Sequence, residues 1–341
     1  MTFRELLASA LALALLAGPA AAQDRTLTIS LWGFNGEKLE QHLLKPFRET
    51  HNVDIVLETG NNADRLSKLK IRGGEGIDLI YLTDSFSQVG IEDGLFAEID
   101  PAKIPNLAGV YDIARQPQGP YGPAYTVGRI GIVYDSAKVA PLASWADLWR
   151  EDLRGQVSIP EISTTTGPMM VLAAARVAGT DAYDDPDAAF AKLAELKPNV
   201  VKAFRTGSEL VNLFSTGEIS VAVTQDFVMG PLQAAVPTVA WAELEEGSFA
   251  VFNTINVVKG TPNLDLALDF INFALDPAVQ KTLAAEKVDA PIVASVELTP
   301  EEAKGWTYGA DTIASLNRLD YAKLNAAKSD WTERWTEIFG Q

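Results

Sequence analysis

Residues 217–226 read GEISVAVTQD: a Gly217-Glu218 turn, an apolar-rich run through Ile219, Val221, Ala222 and Val223, and then a carboxylate at Asp226. Burying an ionised acid is costly, so Asp226, set just before Phe227-Val228-Met229, has one of two jobs. It caps the next helix, a common use of Asp, or it faces a cleft and meets a cation. Arg205 ends another strand-like run, VVKAF, and precedes Gly207. A guanidinium there can grip a carboxylate bidentately or make a surface ion pair. Arg129, after Val127-Gly128, is a second anion candidate. Thr164-Thr165-Thr166-Gly167 opens a helix, where Thr165, Thr166 and free backbone N–H groups either bind an anion or simply cap. Arg205 and Asp226 together describe a zwitterion site, carboxylate at one end and ammonium at the other. Trp32, Phe34, Phe86 and Phe252 would wall its methylenes and offer cation–π contact, or else pack in the core. Asp289, before Ala290-Pro291, reads as a turn residue or a rim acid.

The inventory disfavours catalysis. His42 and His51 are the only histidines, one on a helix and one in a polar loop, and no nucleophile elbow appears. Gly73-Gly74 to Gly76 lacks dinucleotide or P-loop spacing. There are no cysteines, hence neither disulfides nor thiolate chemistry. No enzyme activity, cofactor or metal is expected.

The elements that must position these groups alternate. Leu27–Leu31 reads as a strand, residues 39–49 as a helix, 52–57 as a strand, 64–72 as a helix stopped by Gly73-Gly74, and 77–82 as a buried-type strand. The middle repeats this: strands over 130–134, 155–160, 200–204 and 219–223, helices over 169–178, 188–196 and 210–214. Residues 247–258 are strand-like, and 263–286 form a helix pair broken near Asp276-Pro277. Alternation of this kind argues for an α/β fold with a largely parallel sheet. Ligands then bind beyond the carboxyl ends of strands, which gathers Trp32, Phe34, Asp84, Ser85 and Phe86.

Bulk properties set the compartment. Net charge is −17, from 45 acidic and 28 basic residues, which disfavours nucleic acid or an anionic membrane as partner. Residues 1–22 read as a cleavable signal peptide: Arg4, an apolar Leu6–Ala17 run, Gly18-Pro19 and Ala20-Ala21-Ala22. The remaining chain, about 320 residues, is long enough for two domains. No long linker separates them, so the chain must cross between them more than once.

LWGFNGEKLEQ, IDLIYLTD with GLFAEID, SWADLWREDLRGQVSIPE, PNVVKAFRTGSELVNLFSTGEISVAV and LALDFINFALDPAVQKTLA together resemble bacterial periplasmic solute-binding proteins of the spermidine/putrescine type, the binding components of ABC importers. The resemblance implies a two-lobed periplasmic binding protein fold of type II, each lobe a mostly parallel sheet flanked by helices, with the ligand cleft between. Lobe 1 would take residues 23–130 and 247–305, lobe 2 residues 131–246 and 306–341, with hinges near 129–133 and 244–249. It implies an exported periplasmic protein, a monomer, partnered by an inner-membrane ABC permease. The family's acid pair after VSIPE is replaced here by Thr164-Thr165-Thr166. Its aromatic near Gln225 is missing, with Asp226 beside that point, and its later acid corresponds to about Asn253, beside Phe252. The expected ligand is therefore a small amine-bearing solute, such as the amino acid 4-aminobutyrate. A polyamine, or a ferric or anion ligand, is the alternative, and a secreted hydrolase is the remote one. The adjacent tyrosine pair of ferric-binding relatives is absent: Tyr81, Tyr121, Tyr125 and Tyr134 are scattered.

Overall fold

The computed structural model describes residues 25–33 and 35–340. Phe34 and the expected signal peptide, 1–22, lie outside the described residues.

The chain opens with β1 (Thr26–Leu31), a helix over 36–51 (α1), β2 (Asp54–Thr59), α2 (Asn62–Ile71), β3 (Leu79–Thr83) and α3 (Asp84–Glu92). β1 lies between β2 and β3 and is parallel to both. A long strand, β4 (Ala124–Asp135), then leaves this group. It is followed by β5 (Val157–Pro160), α4 (Met169–Ala178), α5 (Pro186–Leu196), β6 (Val200–Phe204), α6 (Gly207–Ser215), β7 (Val221–Gln225), α7 (Met229–Ala235) and β8 (Val239–Trp241). β5 runs parallel to β6 and β7. The chain returns along β9 (Phe249–Val257), then α8 (Leu264–Ala274), α9 (Pro277–Ala285) and, near the end, α10 (Tyr321–Phe339).

β4 and β9 are the crossings. The first half of β4 pairs antiparallel with β9, and its second half pairs with β7 and β8. β9 in turn pairs with β3. The strand order is therefore β2-β1-β3-β9-β4-β7-β5-β6, with β8 beside β4.

Side chains alternate across each strand, and each lobe buries both faces. In the first lobe Leu27, Ile29, Phe47, Phe270 and Ile292 pack on one face, and Leu66, Ile80, Leu82, Phe96 and Val258 on the other. In the second, Ile130, Ile132, Trp145, Ile159 and Trp331 share one core and Val133, Phe204, Leu213 and Leu232 another. The first core extends to Ile313 and Leu316, and α10 packs on the second. Two lobes, each with its own pair of cores, and two strand crossings explain a chain without a linker. Among the described residues no helix is long and apolar enough to cross a membrane.

β4 starts six residues before the strand read at Ile130, because Thr126, Gly128 and Arg129 interrupt the apolar run. α10 escaped the sequence reading altogether, although Tyr321, Leu324, Trp331 and Trp335 are its buried stripe.

Candidate functional site

Asp226 follows the last residue of β7 and opens a short turn, Asp226–Val228, into α7. The residue in the cap position is Gln225, and it makes no side-chain cap bond. Helix α7 has no side-chain cap, and the carboxylate accepts from the Phe227 N–H of its own turn. It turns toward β4, where the Arg129 backbone N–H donates to it, and the Thr307 hydroxyl donates to its Oδ2. A Cβ on Gly128 would stand 2.7 Å from Asp226 Oδ1, closer than real contacts allow, so the strand needs glycine there. Asp226 is 7 % exposed. Burial pushes its carboxyl up to about 6, against the lowering pull of the Thr307 hydroxyl, the Arg129 N–H and the Arg129 charge.

Beside it is an open cavity of about 340 Å³, drawn from both lobes. Trp32, Thr83, Thr126, Asn253, Asp289 and Trp306 form one wall, and Thr165, Gln225, Asp226 and Phe227 the other. Asp289 keeps part of its surface open to the cavity and is enclosed by protein elsewhere. Burial alone raises its carboxyl to about 7, and no donor among the described residues answers it. Two hydroxyls nearby are also unanswered: Tyr81 and Tyr125 are buried with no hydrogen-bond partner. Burial first, and the Asp289 charge second, raise both phenols well above their ordinary range. Their rings meet edge-on at 4.8 Å, and Trp32 lies 6.1 Å from each. Arg65 sits 5.6 Å from the Trp32 ring as a buried strut, donating to the Gly60, Ser30 and Tyr81 carbonyls. Burial lowers its pKa to about 10, so it stays charged at neutral pH.

The cavity wall therefore carries two carboxylates, three aromatic side chains (Trp32, Phe227 and Trp306) and hydroxyl and amide groups, and no lysine or arginine. Such a wall suits a cation. A buried carboxylate with a raised pKa is one whose charge lacks compensation; an ammonium between the two would supply it. Among the described residues no group of three or more histidines and acids is arranged to hold a metal ion.

Of the residues picked out from the sequence, Trp32, Thr165, Asp226 and Asn253 line this cavity. Phe34 lies outside the described residues. Asp84 does not reach it. Its Oδ1 accepts from the Ser85 N–H at 2.9 Å and its Oδ2 from the Phe252 N–H at 2.9 Å, tying α3 to β9 from within the fold. Ser85 stands behind the wall, its hydroxyl 3.3 Å from Thr83 Oγ1. Phe86 packs against the Leu66–Ile80 core, and Phe252 is itself core, 3 % exposed. Thr166 is not on the wall; its hydroxyl lies 3.3 Å from that of Thr164.

Neither arginine faces the cavity. The Arg129 guanidinium donates to Glu243 at 3.2 Å and lies 4.6 Å from the Trp241 ring. Arg205 is exposed at the end of β6, in a groove with Lys202 and Phe339. β6 is the outermost strand, and β5 separates it from β7, so Arg205 starts about 10 Å of strand spacing away from Asp226. The Arg205–Asp226 zwitterion clamp is not assembled.

Sequence reasoning gave Asp289 too little weight and missed Tyr81, Tyr125, Thr126 and Trp306. Its signal was an acid directly before the apolar Ala290-Pro291-Ile292-Val293 run, the pattern that had singled out Asp226.

Comparison with known proteins agrees with this architecture. The pattern of the bacterial extracellular solute-binding protein family matches residues 42–310. The spermidine/putrescine-binding periplasmic protein of Escherichia coli K12 is 26% identical, over 98% of this chain and 97% of its own. The gamma-aminobutyric acid-binding protein of Pseudomonas aeruginosa is 29% identical, over 81% and 79%. A crystal structure of an ABC transporter protein from Clostridium perfringens superposes with a TM-score of 0.88 at 41% identity, over 92% of this chain and 99% of that one.

Proposed function

Because the chain belongs to the bacterial extracellular solute-binding proteins, we propose that it is the periplasmic capture subunit of an ABC importer, and that its solute carries an ammonium group held between Asp226 and Asp289. The observation that carries this reading is the pair of enclosed carboxylates with no lysine or arginine on the cavity wall. An acid raised to about 6 or 7 is only partly ionised near neutral pH, and a bound ammonium repays that desolvation with charge-assisted hydrogen bonds. Trp32 adds a cation–π face, and the free Tyr81 and Tyr125 hydroxyls lie near the Asp289 end. The relatives named for spermidine, putrescine and gamma-aminobutyric acid all take amine-bearing solutes, which supports the same chemistry.

On this reading residues 1–22 direct export, the monomer delivers its ligand to an inner-membrane permease, and the lobes are the expected 23–130 with 247–305 and 131–246 with 306–341, except that Ile313 and Leu316 pack in the core of the first. The chain is a binder rather than an enzyme. An amino acid such as 4-aminobutyrate needs an anion partner other than Arg205, such as the Thr165 side of the cleft. A diamine or polyamine is the second reading, favoured by the two separate carboxylates. A thermal-shift screen over monoamines, diamines, polyamines and ω-amino acids tests the proposal. A true ligand at ~100 times its Kd adds about 2.7 kcal/mol of stability. Stabilisation by metal ions or simple anions, with none by any amine, overturns it.

A further inference from the structure

The cleft does not end at Phe227 and Trp306. Beyond them opens a second chamber of about 600 Å³, which shares Asp226, Phe227, Val288 and Trp306 with the first cavity. One side of the chamber is α7, with Gly230, Pro231 and Ala234; Lys287 and Lys304 also line it. We infer that this chamber is a subsite for the apolar tail of the amine ligand, so that the solute is a primary amine with an extended hydrocarbon or aromatic body and a terminus that is not cationic. The inference rests on the amine reading above and names its substrate class.

Three independent features point the same way. Phe227 is 65 % exposed, an aromatic ring held at the junction of the two spaces with nothing to cover it. A tail passing from Asp226 into the chamber would cover it. Next, a Cβ added at Gly230 meets nothing within 4 Å, so the α7 side is open beside the chain and not packed by it. Trp306, the partition between the two spaces, is fixed in place by its indole N–H, which donates to the Ala284 carbonyl at 3.0 Å.

The charges of the chamber are mixed. Asp226 lies on one part of its wall, and two lysines on another. The Lys287 ammonium, 5.9 Å from the Trp306 ring, is pinned by the Glu301, Glu302 and Lys304 carbonyls at 3.0, 2.6 and 3.1 Å, and Lys304 is exposed. A second ammonium entering the chamber would meet two like charges. The lysines therefore select against a long diamine and for an amine whose far end is apolar or acidic.

The test is calorimetric titration of the full chain with propylamine, hexylamine and 1,6-diaminohexane, repeated on Gly230→Leu. The variant places its side chain in the open space at Gly230, so the fold is preserved, as its melting temperature checks. Hexylamine is expected to bind more tightly than propylamine, by up to about fourfold per added methylene. 1,6-Diaminohexane is expected to bind more weakly than hexylamine. Gly230→Leu should bring hexylamine down to the level of propylamine and leave propylamine unchanged. Affinity independent of chain length, a preference for the diamine, or a Gly230→Leu variant that binds hexylamine like the parent overturns the subsite while leaving the amine reading in place. If no amine binds the folded protein at all, both fall.

Discussion

The two cleft acids make ligand binding a protonation experiment. Burial holds Asp289 at about 7 and Asp226 at about 6. An ammonium binds the ionised pair, so each acid that is protonated in the free protein must first release its proton. Treating the two as independent, Asp289 weakens binding about 100-fold at pH 5 and Asp226 about 10-fold, and above pH 8 neither does. Affinity for an amine should therefore fall by roughly 1,000-fold between pH 8 and pH 5. At pH 7, where Asp289 is half protonated, binding should release about 0.6 proton per ligand. Isothermal titration in two buffers of different ionisation enthalpy reads that number directly. Asp289→Asn should shrink the pH dependence to about tenfold, because only Asp226 is left to titrate.

Stability of the ligand-free protein should move the opposite way. Both pKa values are raised in the fold, so the native state binds more protons than the unfolded chain between about pH 4 and pH 7. Stability conferred below that window is lost as pH rises through it. The cost of holding the charges is about 4 kcal/mol for Asp289 and about 3 kcal/mol for Asp226, at 1.36 kcal/mol per pKa unit above 3.8. Asp289→Asn should thus melt higher than the parent at pH 8 while binding amines more weakly. Affinity flat from pH 5 to pH 8, with an enthalpy independent of buffer, would refute the reasoning: the acids would then not be buried without compensation.

Further outcomes follow from the same geometry. Gly128→Ala would drive a methyl group into Asp226 Oδ1, so it should lose ligand binding and cost roughly 1–3 kcal/mol of stability, measured by denaturant unfolding beside titration. Arg205→Ala should leave affinity for every amine within twofold of the parent, since Arg205 lies outside the cavity; a tenfold loss in a titration would show that β6 reaches the cleft. On the proposed hinge at 129–133 and 244–249, small-angle scattering at pH 8 should show a smaller radius of gyration with saturating amine, and superimposable curves count against a hinge motion.

Periodicity made most of the fold legible. Period-2 and continuous apolar runs mark β1, β3, β5 and β7 because their side chains are buried on one or both faces. Residues 124–129 hid their strand because a crossing strand changes neighbours midway, so no single face stays apolar. The site was less legible, because strand ends can be read from sequence while strand neighbours cannot. Asp226 and Arg205 both end strands of the second lobe, yet β7 adjoins the crossing strand β4 and β6 is the outer edge. Asp84 looks like Asp226 in sequence, an acid after an apolar strand. Its carboxylate instead accepts two backbone N–H groups of its own lobe, a use that depends on β9, which comes about 165 residues later. Asp289 sits in a loop without period, placed only by Ala290, Ile292 and Val293 entering the core.

On the proposed reading, the division of the two acids between lobes does more than bind. Asp226 extends β7 of the second lobe, and Asp289 precedes residues packed in the first. Bringing two carboxylates toward each other in a cavity that excludes water raises their mutual repulsion, because a low dielectric strengthens every charge interaction. Without a cation, closure of the lobes is therefore opposed by the same groups that hold the ligand. An ammonium reverses the sign: it attracts both acids, and each attraction grows as the cleft narrows. A neutral solute of the same shape offers no such differential between open and closed states, and a ligand shifts a conformational equilibrium only by the difference of its affinities for the two. The cleft would thus reject non-cationic solutes by failing to close on them, with no side chain needed to repel them.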